Sequence, residues 1–238
     1  MSNLQETWVY LSASPLFHLT ATLVAFQAAT WVFEKSGRNP ILNPVLISVL
    51  LVVALLTATQ TDYATYFEGA QFVHFLLGPA TVSLAIPLYR QLYRIRKSAL
   101  AILVSLLSGS LVAILSAVGV AWALGGSAEV LASIAPKSVT APVAMAVAEQ
   151  LGGLPSLTAV VVIVTGILGA MLGGAVLDLA QVKGWNARGL AMGTASHGIG
   201  TARALQLNET AGAFAGLAMG LNALATALLL PILWGLLF

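Results

Sequence analysis

The stretch SALAILVSLLSGSLVAILSAVGVAWAL, residues 98–124, decides the fold of this chain. It contains no charged residue. A helix rises about 1.5 Å per residue, so one of this length exceeds the roughly 30 Å hydrocarbon thickness of a bilayer. We therefore predict that this stretch is a transmembrane helix.

The composition of the whole chain agrees with this prediction. Hydrophobic residues make up 59% of the sequence, charged residues only 8%, and the mean hydropathy is +0.95. That leaves too little polar surface to coat a soluble globule. The ten-residue alternation typical of a membrane β-barrel is absent, so we predict an all-α integral membrane protein. Because the sequence has no cysteine, disulfides, thiolate chemistry and cysteine metal sites are excluded.

We predict a single domain, residues 1–238. Its transmembrane helices are the apolar runs that lie between charged residues, glycines or prolines. We predict about six, near 8–33, 44–60, 70–89, 98–124, 155–181 and 211–237. Two further apolar segments contain more Gly, Pro and polar residues. We call them the first broken segment (134–151) and the second broken segment (188–206).

Positive charge in the loops predicts the orientation in the membrane. Basic residues lie at 35 and 38, in RQLYRIRK (90–97), and at 183 and 188. The charged residues of the opposite loops are all acidic. Since basic loops stay in the cytoplasm, we predict that the N-terminus lies outside. The fourth and fifth helices then both have an end outside, so the first broken segment must enter and leave on the same face, as a re-entrant hairpin.

An internal repeat is consistent with this topology. SGSLVAILSA (108–117) aligns with TGILGAMLGG (165–174), and the two broken segments follow at nearly the same offset. The identities are few and mostly small residues, so chance similarity is an alternative. A real repeat would be inverted and would bring the two broken segments together near the membrane centre, as in many secondary transporters.

The first broken segment reads SIAPKSVTAPVAMAVAEQLGG with its flanks, 133–153. Two prolines prevent a continuous helix, and Ser138 and Thr140 can bond the freed carbonyl groups. Lys137 lies between the prolines, although a charge at the bilayer centre costs about 2.5–3.5 kcal/mol. Lys137 either extends to the interface or offers its ammonium group to an anionic substrate.

The second broken segment contains GTASHGIGTARA, 193–204. Its glycines allow a turn or the close approach of a ligand. Arg203 is suited to a carboxylate and His197 to carrying a proton, although a lone histidine is more often structural. The substrate-binding candidates here are Thr194, Ser196, His197, Gly198, Gly200, Thr201 and Arg203.

Other polar residues are weaker candidates. Asn43, Thr81 and Ser83 are secondary binding candidates, since helix packing and kinks at Pro79 and Pro87 explain most of their context. Glu149 and Glu209 each follow a broken segment; an end-of-helix role is the default, and proton coupling requires that they be buried.

The sequence contains none of the usual enzyme or nucleic-acid-binding motifs, so we expect no enzyme, no cofactor, no metal site and no nucleic-acid partner.

Several strings resemble one family of bacterial membrane proteins, the LrgB/CidB family. They are NPVLIS, FLLGPATVSLAIPLY, APKSVTAPVAMAVAEQLGG, PSLTA, TGILGA and GTASHGIGTARAL, which together span most of the chain from residue 40 onward. The resemblance implies a multi-pass protein of the bacterial inner membrane. It also implies a small holin-like LrgA/CidA partner and a role in murein hydrolase activity and autolysis. Many members have a threonine where this chain has Ala141, so no hydroxyl ligand is expected there.

The resemblance also extends to the plastid glycolate/glycerate translocator and to bacterial pairs associated with pyruvate uptake. It therefore implies a carrier of small 2-hydroxy or 2-oxo monocarboxylates, and the polar residues of the two broken segments suit such an anion. We expect proton-coupled alternating access. The rival hypothesis is a holin partner that modulates lysis and moves no specific solute. Gly169, Gly173 and Gly174 suit close helix packing and a homodimer.

Overall fold

The computed structural model describes residues 14–237, and every regular element within that range is helical. This confirms the prediction of an all-α protein. The chain divides into two compact units, Met1–Ser83 and Leu84–Phe238, which are described separately below. Whether the chain acts as a single domain stays a prediction. The start of the first helix, predicted near residue 8, lies outside the described residues.

Within residues 14–83, the first unit contains four α-helices and one short 3₁₀ turn. The helices are α1 (Pro15–Lys35), α2 (Pro44–Thr59), α3 (Tyr63–Phe75) and α4 (Leu77–Ser83), and the turn is Pro40–Leu42. Asn43 begins α2, because its side-chain oxygen accepts hydrogen bonds from the backbone N–H groups of Val45 and Leu46. The hydroxyl group of Thr22 in α1 lies 2.9 Å from the hydroxyl group of Tyr66 in α3. This hydrogen bond joins the two helices.

The third predicted helix, 70–89, is wrong in both its start and its continuity. Helix α3 already begins at Tyr63, because Asp62 accepts hydrogen bonds from the hydroxyl and backbone N–H of Thr65. These two bonds lower the pKa of the Asp62 carboxyl group. The helical run is then interrupted at Leu76 and at Leu84, each three residues before a proline that cannot donate the next helical hydrogen bond.

The second unit contains the remaining helices. They are α5 (Ala85–Arg90), α6 (Leu92–Lys97), α7 (Ala99–Ala123), α8 (Ala128–Ile134), α9 (Ala141–Gln150), α10 (Pro155–Leu179), α11 (Trp185–Leu207) and α12 (Glu209–Leu237). Helices α7, α10 and α12 lie within two residues of the predicted 98–124, 155–181 and 211–237. These three boundaries are confirmed.

Five described stretches are long and apolar enough to cross a membrane. They are Pro15–Lys35, Tyr63–Arg90, Ala99–Ala123, Pro155–Leu179 and Glu209–Leu237. Pro44–Thr59 is apolar but shorter. These six stretches correspond to the six predicted transmembrane helices, and large apolar side chains such as Leu115, Leu168 and Leu228 remain exposed on them, as lipid-facing residues do. The chain is a multi-pass membrane protein.

Small residues allow α11 and α12 to pack with their backbones in contact. A Cβ atom on Gly189 would overlap the backbone of Ala211, and one on Gly193 would overlap that of Ala215. The two glycines and the two alanines are each four residues apart, one helical turn, so the contact runs along both helices. This contact positions the second broken segment against α12.

Candidate functional site

Helix α11 is interrupted in its middle, within the second broken segment. Ser196 has φ −131° and ψ 17°, and His197 has φ 40° and ψ −131°, so neither is helical. A positive φ is uncommon for a residue with a side chain and stores backbone strain of about 1–3 kcal/mol. The structure thus confirms that this segment is a broken helix and locates the break at Ser196 and His197.

The contacts of His197 hold the strained turn in place. Its side chain is 5% exposed, and Nε2 lies 2.9 Å from the carbonyl oxygen of Val162 in α10. Gly166, one turn further along α10, leaves room for the imidazole ring, since a Cβ atom there would come within 2.6 Å of it. Because a carbonyl oxygen only accepts, Nε2 carries the hydrogen in this contact.

Two glycines provide the space that Ser196 occupies. A Cβ atom on Gly169 of α10 would overlap the Ser196 hydroxyl group. One on Gly200 would lie 2.5 Å from Ser196 Cβ and 2.7 Å from the Met192 carbonyl oxygen. Gly169 therefore supports the close helix packing predicted for it, and Gly200 supports the packing of the break; the homodimer stays a prediction. Gly198 is less crowded, with Met219 sulfur 3.9 Å from an added Cβ.

Most hydroxyl groups near the break bond to carbonyl oxygens of their own helix. Thr194 donates to Leu190 at 2.9 Å, and Thr201 donates to His197 at 2.8 Å. The Thr201 bond satisfies a carbonyl group next to the break. Thr194, Ser196 and Thr201 are all buried.

Two cavities border the interrupted helix α11. One, of about 390 Å³, is lined by residues of α7, α10 and α11, including Gly109 and Thr194. The other, of about 310 Å³, lies between α10 and α11 and is lined by Gly169 and Ser196. Both linings are mainly apolar, with hydroxyl groups from Ser105 and Thr194 in the first cavity and from Ser196 in the second.

The two ends of the first broken segment lie close together. Helix α8 ends at Ile134, residues 135–140 form turns, and α9 begins at Ala141. Ser133 then receives two hydrogen bonds from beyond α9: its hydroxyl accepts from the Leu154 N–H at 2.7 Å, and its carbonyl accepts from the Thr158 hydroxyl at 2.9 Å. The two ends of the segment are therefore adjacent, as a re-entrant hairpin requires; its entry into the membrane from one face stays a prediction.

The tip of the hairpin contains the predicted Lys137, Ser138 and Thr140. Lys137 is half-buried and its Nζ lies 3.3 Å from the Ser138 hydroxyl. Within residues 14–237, the ion pairs are Arg90 with Glu209 and Arg188 with Asp178, so Lys137 has no carboxylate partner there. Thr140 precedes α9 without using its side chain as a cap.

Asn222 of α12 joins the two broken segments. Its Nδ2 atom donates to the Thr194 carbonyl oxygen at 3.0 Å and to the Ser138 carbonyl oxygen at 3.4 Å. The side chain is 1% exposed. Both carbonyl groups belong to interrupted backbone, so one carboxamide replaces hydrogen bonds that a continuous helix would make. Both segments thus contact one side chain, which we call their meeting point; the internal repeat stays a prediction.

Sequence reasoning missed Asn222, although a signal was present. Within the apolar part of α12, from residue 211 onward, Asn222 and Thr226 are the polar side chains. They lie one helical turn apart, and Thr226 is 3.3 Å from the Ser110 hydroxyl of α7. Polar residues of a transmembrane helix almost always face the protein interior. Their spacing therefore indicated a buried polar face on α12.

Three further predicted residues, Arg203, Glu149 and Glu209, lie on α11, α9 and α12. Arg203 is half-buried, six residues beyond His197, and its Nη1 lies 3.5 Å from Gln206 Oε1. Glu149 is exposed, and Glu209 is exposed and paired with Arg90 at 2.9 Å. Neither glutamate meets the burial that proton coupling requires, and Glu209 instead fixes the start of α12 beside α5.

The secondary candidates in the first unit have local roles. Asn43 uses its side-chain oxygen to cap α2, and the exposed Ser83 donates to the Ala80 carbonyl oxygen at 2.6 Å. The side chain of Thr81 lies outside what the structure describes. The capping by Asn43 is a sufficient reason for an asparagine at that position.

Comparison with known proteins gives a family for the chain. The model of the LrgB-like family matches residues 22–236. Holin-like protein CidB of Staphylococcus epidermidis is 33% identical over 94% of this chain and 96% of its own length. CidB of Staphylococcus aureus is 32% identical with the same coverage. YxaC of Bacillus subtilis, an uncharacterized protein, is 40% identical over 68% of this chain and 70% of its own. No solved structure matches the chain.

Proposed function

The chain belongs to the LrgB-like family, and from that premise we propose that it is a holin-like component of a bacterial inner membrane. In this function it assembles with a small LrgA/CidA-like membrane protein and modulates murein hydrolase activity and cell lysis. The supporting observation is the similarity to proteins named CidB over 94% of this chain. We also propose that the N-terminus lies outside, since the basic loops then lie in the cytoplasm.

Two measurements test the holin-like function. The chain is co-expressed with an LrgA/CidA-like membrane protein, and we expect the two to copurify from detergent. Deletion of the chain should change the rate of murein hydrolase-dependent lysis, and re-expression should restore that rate. Lack of a complex together with unchanged lysis would contradict the proposal.

A second function, carriage of small monocarboxylates, is favoured by a different observation: the carboxamide of Asn222 binds both broken segments. A purely structural subunit has no need for two interrupted helices in the membrane, because each interruption frees backbone groups that must be satisfied. Interrupted helices that meet in the protein interior are the usual setting of a solute site in secondary transporters.

The electrostatics around the meeting point suit an anion. Helix α9 begins at Ala141, four residues after Lys137 and three after Ser138, and the second half of α11 begins after His197. Each helix start carries partial positive charge that favours an anion. Since Lys137 has no carboxylate partner in the described range, its ammonium group is suited to hold the carboxylate of glycolate, glycerate, lactate or pyruvate.

We assign binding roles in this carrier to the polar residues of both segments. Lys137, Ser138 and Thr140 would contact the carboxylate from the hairpin, and Ser196 and the second half of α11, including Arg203, would contact it from the other side. His197 is the proton-coupling residue, since it is buried at the break. Movement of the two segments about the anion would provide alternating access.

Uptake into liposomes tests this second function. The purified chain is reconstituted with and without the LrgA-like protein, and the labelled monocarboxylates are offered with and without a pH gradient. Saturable uptake that increases with the gradient is the expected result. Lack of uptake in every combination would leave the holin-like function alone.

A further inference from the structure

A groove opens on the surface of the second unit between α7 and α11. Its inner part is the cavity of about 390 Å³ described above, and its outer part is a further cavity of about 130 Å³. Both cavities are lined by Ser105, Ala187 and Leu190, so they adjoin. Ser105 and Ala187 are exposed, which means that the groove is open along its side to the surroundings of the protein.

The groove extends from the start of α7 to the level of the interrupted turn. Its outer cavity is lined by Ser98 and Asn186, at the starts of α7 and α11. Its inner cavity is lined by Ala113 and Thr194. The length of α7 from Ser98 to Ala113 is about 22 Å, because a helix rises about 1.5 Å per residue. One leaflet accounts for about half of the roughly 30 Å hydrocarbon thickness, so the groove is at least as deep as a leaflet.

The size of the groove fits a single hydrocarbon chain and is too small for a protein helix. A helix with its side chains is about 10 Å across and would fill roughly 1,700 Å³ over the same length. The two cavities, of about 390 and 130 Å³, hold far less than that. A lipid acyl chain that enters such a groove contacts protein atoms on several sides and gains dispersion attraction from each contact.

Basic residues predominate at the outer end of the groove. Segments 90–97 and 183–188, which lie at the starts of α7 and α11, contain six basic residues and no acidic one. Two of the six pair with carboxylates, and the other four form no ion pair within residues 14–237. Lys97 belongs to these four, is exposed, and directly precedes Ser98 of the outer cavity. This end of the groove is therefore suited to a negatively charged group.

We propose that the groove binds one acyl chain of an anionic phospholipid, with the phosphate of the headgroup beside Lys97 at the outer end. Basic pockets between transmembrane helices bind anionic headgroups, since each Lys or Arg near the membrane surface attracts them. Ser98 and Asn186 add a hydroxyl and an amide donor at the same end. A zwitterionic phospholipid can fill the groove with its chain but gains no preference from the positive charge. The inference goes beyond both proposed functions and depends on neither.

The bound acyl chain would lie against the interrupted helix at the inner end of the groove. Thr194 and Ala195 line the inner cavity and directly precede the break at Ser196. The chain therefore fills space beside a turn whose backbone is not helical. Since a ligand that binds only the folded state stabilises it, bound lipid should raise the Tm of the protein.

Lipid titration of the detergent-purified chain tests the proposal. Native mass spectrometry counts the bound molecules of phosphatidylglycerol, which is anionic, and of phosphatidylcholine with the same acyl chains, which is zwitterionic. We expect one tightly bound phosphatidylglycerol, with an affinity at least tenfold higher than that of phosphatidylcholine, and a higher Tm in its presence. Equal affinities of the two lipids would overturn the proposal.

A soluble competitor separates a lipid from a free phosphate compound. Glycerol phosphate has the anionic group of phosphatidylglycerol without its acyl chains. Because the chain is expected to provide the contacts within the groove, an excess of glycerol phosphate should displace no lipid. Full displacement would show that the site recognises the phosphate alone, and a lipid site would then be wrong.

Two pairs of variants locate the bound lipid. Lys97→Glu reverses the charge at the outer end and should reduce the preference for phosphatidylglycerol about tenfold, whereas Lys35→Glu, the same change on α1, should retain it. Ala187→Phe places a ring where the two cavities adjoin and should weaken the binding of both lipids. Its control is Val112→Phe, at an exposed position of α7 that lines neither cavity.

The variants can also contradict the proposal. An unchanged preference in Lys97→Glu would exclude a headgroup at that residue, and this variant decides if Ala187→Phe does not fold, since only an exposed side chain is altered. If Ala187→Phe binds both lipids normally but disrupts a dimer of the chain, the groove is an interface between two copies and no lipid site.

Discussion

The carboxamide nitrogen of Asn222 lies 3.0 Å from the carbonyl oxygen of Thr194, at the last turn of α11 before the helix is interrupted. A transmembrane helix can stop in the middle of the membrane only if another group bonds the carbonyl oxygens that lose their helical partners. Asn222 does this from a neighbouring helix, so the interruption at Ser196 and His197 depends on α12.

Replacing Asn222 with leucine should destabilise the fold. The change leaves the carbonyl groups of Thr194 and Ser138 without their donor, and each unsatisfied buried group costs about 1–3 kcal/mol. The apparent Tm in detergent, followed by tryptophan fluorescence, should fall by about 2–4 °C per kcal/mol. Leu228→Ala, at an exposed position of α12, is the control. Equal Tm values for the two variants would show that the two hydrogen bonds of Asn222 contribute little to stability.

Gly169→Ala should distort the broken turn, whereas Gly174→Ala should not. The new methyl group at position 169 would overlap the Ser196 hydroxyl, while one at position 174 has open space around it. Overpacking of this kind costs about 1–3 kcal/mol, and alanine in an open helical position gains up to about 1 kcal/mol. Thermal unfolding of both variants measures the difference. A lower Tm for Gly174→Ala than for Gly169→Ala would contradict the packing described here.

Lys137→Met should reduce monocarboxylate uptake at least tenfold without loss of folded protein. Hydrogen bonds to charged groups are worth about 1.5–3 kcal/mol, and 1.4 kcal/mol is a factor of ten. Lys183→Met, in an exposed loop, is the control for loss of one positive charge. Normal uptake by Lys137→Met would mean that this ammonium group extends to the interface and takes no part in binding.

Arg203→Ala should abolish uptake while expression and Tm stay close to those of the unaltered chain. The reason is chemical: guanidinium is the side-chain group best suited to hold a carboxylate through two hydrogen bonds. Arg96→Ala, on the exposed side of α6, tests whether any loss of basic charge has the same effect. If Arg203→Ala carries solute as fast as Arg96→Ala, the role assigned to Arg203 is wrong.

Arg188→Ala should destabilise the α10–α11 loop more than Asp178→Asn. Arg188 is mostly buried, bonds Asp178 at 2.6 Å and the Val182 carbonyl at 3.0 Å, and lies against the Trp185 ring. Asp178 is largely exposed, so its loss should cost less than about 1 kcal/mol. Limited proteolysis of this loop compares the variants. Faster cleavage of Asp178→Asn would reverse the expected order.

The sequence predicted well the helix boundaries that depend on the length of an apolar run and on the polar residues or prolines that end it. Helices α7, α10 and α12 are long apolar runs between polar or proline boundaries, so their ends could be identified without tertiary information. The break near Ser196 and His197 was also predictable, because glycines concentrate around it. The start of α3 was missed because the Asp62 cap lies before a stretch too polar for the hydropathy pattern.

The contacts that build the site could not be predicted, because they join residues far apart in the chain. Gly169 resembles any small residue on a transmembrane helix until Ser196 is found against it. Asn222 belongs to no local motif, and its two acceptors lie on separate interrupted segments. Arg203 and Glu209 have suitable chemistry, but only the tertiary structure shows that Glu209 pairs with Arg90.

The two hydrogen bonds of Asn222 can form only late in the synthesis of the protein. Asn222 follows Thr194 by 28 residues and Ser138 by 84. During synthesis both interrupted segments therefore leave the ribosome before their common partner exists. Until α12 is inserted, the exposed carbonyl groups must be held by water or by the insertion machinery, since lipid cannot bond them. A ribosome that stalls before residue 222 would leave a nascent chain that cannot complete its membrane interior, and such chains should be preferred substrates of membrane quality-control proteases.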